Sequence, residues 1–302
     1  MSLHRKPTKS SGQRATSVPI ETPTPKLGCR RWLRRWLLRC SIGLMIAVVV
    51  VFGSNYLVQP RYFNILIIGS DQRGVEQARS DALLVMAIPK AAGDPVSLIT
   101  IPRDTKIDHP DYGVQKITHF YAIWNDTTTS LGNKPLTEQV VKDLLGIPIH
   151  GTIEVTFDSF IEIVDLLGGV DTTAGHLDGK AAKEVVHNRF NKAGGDFGRT
   201  DAQREIIQNV IVRLRDPIHA RAVYEYMQTT DRARAYLSTN TLTWFGLAYL
   251  IGHGGKVSLS EVNEAALPGV GQRIYTPAFD KELYYWVLDE TQTQALVDDY
   301  LR

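Results

Sequence analysis

Two groups of charged residues in this chain have types and spacing that could hold phosphate. The first lies in residues 63–104, FNILIIGSDQRGVEQARSDALLVMAIPKAAGDPVSLITIPRD, and contains Asp71, Arg73, Arg79, Asp81, Arg103 and Asp104. Carboxylates are hard oxygen donors suited to a divalent cation, and arginine forks match phosphate oxygens in pairs. The same residues would also form solvated Arg–Asp pairs worth about 0–1 kcal/mol each, and residue type alone leaves both arrangements open. The second group lies in residues 181–204, AAKEVVHNRFNKAGGDFGRTDAQR, where His187, Arg189, Arg199 and Gln203 surround a glycine-rich loop at 193–198. Backbone N–H groups at the positive end of a helix opening at Thr200, joined by Arg189 and Arg199, would seat an anion. In the plainer alternative Gln203 is a capping-box partner and Arg199 is solvated.

The elements around the first group explain how its members would meet. Residues 65–68, 82–88 and 96–101 are short runs rich in Ile, Val and Leu, bounded by Gly, Pro or charge, which reads as three buried strands. Their links are too short for a crossover helix, so the strands should run antiparallel. The end of the first, the start of the second and the end of the third then share one sheet edge, with the charges on it. Beyond them, 116–124 has an aromatic stripe at helical spacing, read as core packing, and Thr137 is placed to cap a helix reaching Leu145. Ile153, Val155 and Phe157 alternate as in a strand, and Asp158 is placed to cap a helix closed by Gly168 and Gly169. Helices are expected at 181–190, from Thr200 to Leu214, at 220–227 and, capped by Ser260, up to Ala266; 283–301 reads as a strand and then a helix. Residues 241–251 are apolar but too short for a membrane span. The strand–helix alternation is partial, so the expected fold is α/β with a mixed central β-sheet flanked by helices.

Charge is split along the chain. Residues 1–40 hold ten Lys or Arg against Glu21 alone, which leaves 24 basic and 31 acidic residues of the chain's 34 and 32 for the remainder, net −7. An acidic body is a poor general nucleic-acid binder. Residues 1–35 form a basic, Pro- and Ser-containing tail too poor in apolar residues to fold. Residues 36–58 have the length and composition of one transmembrane signal anchor, and residues 59–302 form the body. The basic flank puts the N-terminus in the cytoplasm and the body outside. Cys29 and Cys40 both precede the body, so no disulfide or thiolate chemistry is expected there.

With both charged groups in view, the chain resembles the LytR-CpsA-Psr family. The stretches that carry the resemblance are NILIIGSDQRG, RSDALLVMAIPK, VSLITIPRDT, QKITHFYA, LLGIPIHGTIEVTFDSFIEIVDLLGGVD and GGDFGRTDAQR, in the family's order, with ALPGVGQRIY and YYWVLDE near the end. The resemblance implies a membrane-anchored phosphotransferase that attaches a polyprenyl-diphosphate-linked anionic glycopolymer, whether teichoic acid, capsule or exopolysaccharide, to peptidoglycan and releases polyprenyl phosphate. It implies that Asp71 and Asp81 bind Mg²⁺, and that Arg79, Arg103, Arg189 and Arg199 grip the pyrophosphate with Gln203 beside them. Asp81 and Asp104 are the candidates to accept the acceptor's hydroxyl proton. His187-Asn188-Arg189 stands where the family often has Arg-x-Arg, and Ala202 where a basic residue is common. The prenyl chain would need an apolar slot, expected along the helices after Lys116 and Asp158. The competing readings are a hydrolase of the same diphosphate and a non-catalytic module that binds prenyl phosphates or wall glycans.

Overall fold

The computed structural model describes residues 27–70, 80–123, 133–173, 175–187, 196–214, 216–237, 239–253 and 262–302. The chain divides into two compact units, Met1–Val51 and Phe52–Arg302. The helix α1, Leu27–Val58, supplies the described part of the first unit and the opening turns of the second. Within it, Trp32–Val58 is long and apolar enough to cross a membrane. Its 27 residues reach about 40 Å at 1.5 Å per residue, against a hydrocarbon core of roughly 30 Å.

The second unit is built on one mixed sheet. After α1 come β1 (Tyr62–Ser70), β2 (Ser80–Pro89), β3 (Val96–Ile101), β4 (Lys106–His109), β5 (Gly113–Lys116), α2 (Ile117–Ala122), α3 (Lys134–Leu145), β6 (Gly151–Thr156) and α4 (Phe157–Leu166). Then follow β7 (Val170–Thr172), β8 (Gly175–Leu177), α5 (Gly179–His187), α6 (Asp196–Arg213), α7 (Pro217–Thr229), β9 (Ala233–Leu237) and α8 (Thr239–Gly252). The chain closes with β10 (Val262–Ala266), β11 (Gly269–Thr276), β12 (Lys281–Leu288) and α9 (Glu290–Tyr300). The main sheet has the order β10-β3-β2-β1-β6-β9. As expected from the short links, β1, β2 and β3 are antiparallel neighbours. The parallel pairs β1–β6 and β3–β10 are each reached by a long, helix-containing connection.

The two faces of the sheet are covered differently. One face packs Leu66, Ile68, Val85 and Ile99 against Phe120 and Tyr121 of α2, Val141 of α3 and Val297 of α9, forming the main core. On the other face Phe63 and Ile65 of β1 meet Phe245 and Tyr249 of α8. The aromatic stripe of residues 116–124 is therefore core where it is described.

Several expected boundaries move, each for a local reason. Thr156, rather than Asp158, caps α4: its side chain accepts from Ser159 N while the Ser159 hydroxyl accepts from Thr156 N. Asn133, not Thr137, caps α3, accepting from Leu136 N, and Gly146 ends it at φ 58°. Gly168 and Gly169, at φ 73° and 84°, close α4 as expected. Helix α6 begins at Asp196, ahead of Thr200, and α7 begins at Pro217 behind an Asp216 cap. Residues 262–266, expected as a helix, are the edge strand β10; the expected cap Ser260 lies outside the described residues.

Candidate functional site

The antiparallel pairing brings the charged residues of the first group to one sheet edge. Ser70 at the end of β1 pairs with Ser80 at the start of β2, and Ile101 at the end of β3 pairs with Leu83. Asp81 therefore stands beside Arg103 and Asp104, which follow β3. Arg103 Nη1 donates to Asp81 Oδ1 at 3.1 Å, and its Nε lies 3.8 Å from Asp104 Oδ2. Lys116 Nζ, at the end of β5, donates to Asp104 Oδ1 at 2.6 Å. The four side chains are between 19% and 28% exposed, so their charges are partly withdrawn from water and only partly screened.

Backbone bonds hold this cluster from three sides. Thr118 Oγ1 donates to Ser80 O at 2.7 Å, fixing the first residue of β2 to α2. Thr118 N donates to Arg103 O, and Ile117 N to Thr105 O. Trp286 N, from β12, donates to Asp104 O at 2.8 Å. Lys116 was read from sequence only as the start of a helix. Its role depends on the β4–β5 hairpin, where Lys116 pairs with Lys106.

Asp81 also lines the rim of a cavity that is otherwise almost wholly apolar. Its walls are the second face of the sheet (Ile67, Leu84, Met86, Ile153, Val155), α4 (Phe157, Phe160, Ile163) and α6 (Ile206, Ile207, Val210, Ile211), with Val223 and Met227 of α7. An apolar cavity therefore lies along the helix after Asp158. The helix after Lys116 takes no part, because α2 packs into the core on the opposite face. The arrangement suits an amphiphile: cations and carboxylates at one end, a hydrocarbon-lined cleft behind them.

Of the remaining expected site residues, Asp71, Arg79 and Arg189 lie outside the described residues. Arg199 and Gln203 fall in the first turns of α6, the helix whose later residues line the cavity; their side chains lie outside the description. Among the described residues no three His, Cys, Asp or Glu side chains come together as a metal site. Asp81 by itself is a hard oxygen donor at the cavity rim. Mg²⁺ keeps several waters and takes one or two carboxylates plus phosphate oxygens, so this donor fits a cation that arrives with a phosphate ligand.

Comparison with known proteins gives the same direction. The sequence profile described as the LytR_cpsA_psr family matches residues 58–176 and 173–300. A relative from Oceanobacillus iheyensis, named polyisoprenyl-teichoic acid–peptidoglycan teichoic acid transferase TagU, is 33% identical over 160 residues, covering 48% of this chain and 49% of its own. The chain spans about half the length of the curated relatives it matches. The crystal structure of the Lin1025 protein from Listeria innocua superposes with a TM-score of 0.62 at 25% identity, covering 79% of this chain and 96% of that one. The structure of TagT bound to LIIa-WTA superposes at 0.58 with 23% identity over 80% of this chain and 91% of that one, a likeness of fold.

Proposed function

We propose that this chain, which belongs to the LytR_cpsA_psr family, is a membrane-anchored phosphotransferase that moves an anionic glycopolymer from a polyprenyl-diphosphate carrier onto peptidoglycan, its body facing outward. One observation carries the reading: the Arg103–Asp81 pair stands at the rim of an apolar cavity. A prenyl diphosphate has the matching form, a charged bridge joined to a hydrocarbon chain.

In this reading the prenyl chain enters the cavity and the diphosphate lies against the charged edge. Arg103 donates to the phosphate oxygens, and Arg79, Arg189 and Arg199 add cationic contacts, with Gln203 beside them. A peptidoglycan hydroxyl attacks the phosphorus that carries the glycan, and polyprenyl phosphate leaves. Negative charge shifts toward the departing phosphate, and guanidinium groups fixed in place beforehand lower the barrier more than mobile water does. Asp104, held by Lys116 and Arg103, orients Arg103. Among the described residues Asp81 bears one ion pair, and it lines the cavity, so it is the carboxylate assigned to take the hydroxyl proton. Mg²⁺ would be held by Asp71 and Asp81 with the diphosphate oxygens, and when bound it supplies charge neutralisation at the bridge.

The test is to incubate the full chain, in nanodiscs, with a lipid-linked glycopolymer, Mg²⁺ and a peptidoglycan oligosaccharide, and to weigh the products. A polymer–oligosaccharide conjugate that disappears on chelation supports the transferase. Free polymer without conjugate would make the protein a hydrolase, and bound but intact carrier would make it a binding module.

A further inference from the structure

The outward face of α8 breaks the usual rule for a surface helix. Its fourteen residues, TNTLTWFGLAYLIG, include no charge. Phe245, Ala248 and Tyr249 are buried, with the Phe245 ring tilted at 32° to that of Phe63 of β1 and its centroid 4.7 Å away. On the other side Trp244, Leu247 and Ile251 fall at i, i+3 and i+7, one stripe of the helix. Trp244 is 40% and Ile251 43% exposed, with Leu247 half-buried between them. A helix facing water places polar side chains on that stripe; one apolar on both sides belongs against a second apolar phase.

The position of α8 identifies that phase. Asn55, in the last turn of the candidate membrane span, donates its Nδ2 to Trp244 O at 3.2 Å. At the far end of α8, Ala92 N donates to Gly252 O, and Lys90 Nζ, two residues earlier, donates to Tyr56 O and Gln59 O at 2.8 and 2.7 Å. α8 is thus tied to the few residues where the chain leaves the span, directly at Trp244 in its middle and through residues 90–92 at its C-terminal end. Leu57 and Val58 there are 81% and 80% exposed, so the residues beside these ties also present apolar surface.

We propose that the Trp244–Leu247–Ile251 face of α8 lies in the headgroup region of the bilayer, as a second contact that seats the body on the membrane. A tryptophan with apolar neighbours is the side-chain set favoured at that depth. The proposal rests on α1 crossing the membrane and does not require the transfer reaction. It gives the cavity a direction, because Ile67, Met86 and Ile153 both line the cavity and pack in the cluster beneath α8. An apolar path then runs along β1 from the charged edge at Ser70 to Phe63 near the bilayer, roughly 25 Å at strand rise. A carrier lipid would reach the charged edge without its chain crossing water.

The experiment uses the full chain with Cys29→Ser and Cys40→Ser, in nanodiscs of phosphatidylcholine and phosphatidylglycerol, carrying one fluorophore on a single introduced cysteine. Leu44→Cys reports the span, Ile251→Cys the proposed contact, and Ile218→Cys, at a residue 76% exposed on α7, the water-facing body. Iodide quenches from water and lipid brominated near the headgroup quenches from the membrane. The expected result is that Ile251→Cys is quenched by bromolipid and is about five-fold less accessible to iodide than Ile218→Cys. Equal iodide accessibility at 251 and 218, or shielding at 251 without bromolipid quenching, overturns the proposal; the second outcome means that protein covers the face. A Leu44→Cys probe open to iodide would instead remove the span itself, and the proposal with it.

Discussion

Arg103 Nη1 lies 3.1 Å from Asp81 Oδ1, an ion pair that joins the second residue after β3 to the second residue of β2 across the open edge of the sheet. Because Asp81 also lines the apolar cavity, the guanidinium is held where a charged headgroup would meet its hydrocarbon tail. Replacing Arg103 by Ala is expected to lower transfer about 100- to 1,000-fold while leaving the melting transition close to wild type. Arg103→Lys keeps the charge without the planar fork and should recover only part of the loss. Conjugate yield and circular dichroism on the same preparations provide the check.

Lys116 acts one step further out. Its ammonium clasps Asp104, which in turn lies beside Arg103. Lys116→Met should reduce kcat about 10- to 100-fold through misplacement of Arg103, with KM for the lipid carrier little changed, and Lys116→Arg should restore most of the rate. A rise in KM with kcat unaltered would mean that Lys116 contacts substrate instead.

Glu138 is a structural acid with a strong pH signature. Burial opposes its charge, but hydrogen bonds from Lys134, Lys142 and Thr152 outweigh it and hold the carboxyl at about 2, below the ordinary 4.5. These bonds are 2.6–2.8 Å long, and the one from Thr152 ties α3 to β6. A carboxylate depressed on folding stabilises the protein above its unfolded pKa, and that stability is lost as pH falls through the folded value. Glu138→Gln should cost about 1–2 kcal/mol near pH 7 after screening, a difference that narrows as melts are repeated from pH 5 toward pH 3.

Glu154 has the opposite sign. It faces the core from β6 at 1% exposure, and neither carboxyl oxygen makes a well-formed hydrogen bond. Burial pushes its pKa up, against the nearby Tyr236 and Tyr121 hydroxyls and the charges of Lys134 and Arg234. Stability from a raised carboxyl is present below the unfolded value and is lost as pH rises through the folded one. Glu154→Gln should therefore raise the melting temperature relative to wild type more at pH 8 than at pH 4.

The first three strands were legible because each apolar run ended in charge, Gly or Pro, and short links left antiparallel pairing as the only simple solution. That inference alone placed Asp81 beside Arg103 and Asp104. The face of β6 was not legible. Ile153 and Val155 look like the core side of an alternating strand, yet they line the cavity, while Thr152 and Glu154 are on the fully buried side. An apolar cavity inverts the equation of apolar with core. Residues 262–266, VNEAA, hold helix-favouring Glu and Ala, and pairing with β3 overrode that preference. Lys116 was missed because its partner Asp104 is brought to it by a hairpin whose strands are only four residues each, too short to leave a pattern.

The central claim is that the charged edge and the apolar cavity act on one molecule. Calorimetric titration of the full chain with farnesyl diphosphate, inorganic pyrophosphate and farnesol, each with Mg²⁺, tests it most directly. The account predicts that farnesyl diphosphate binds at least about ten-fold more tightly than either half, one to two kcal/mol from the buried chain, and that Arg103→Ala removes most of that advantage. Pyrophosphate binding as tightly as farnesyl diphosphate, or farnesyl diphosphate binding equally well to Arg103→Ala, would contradict it.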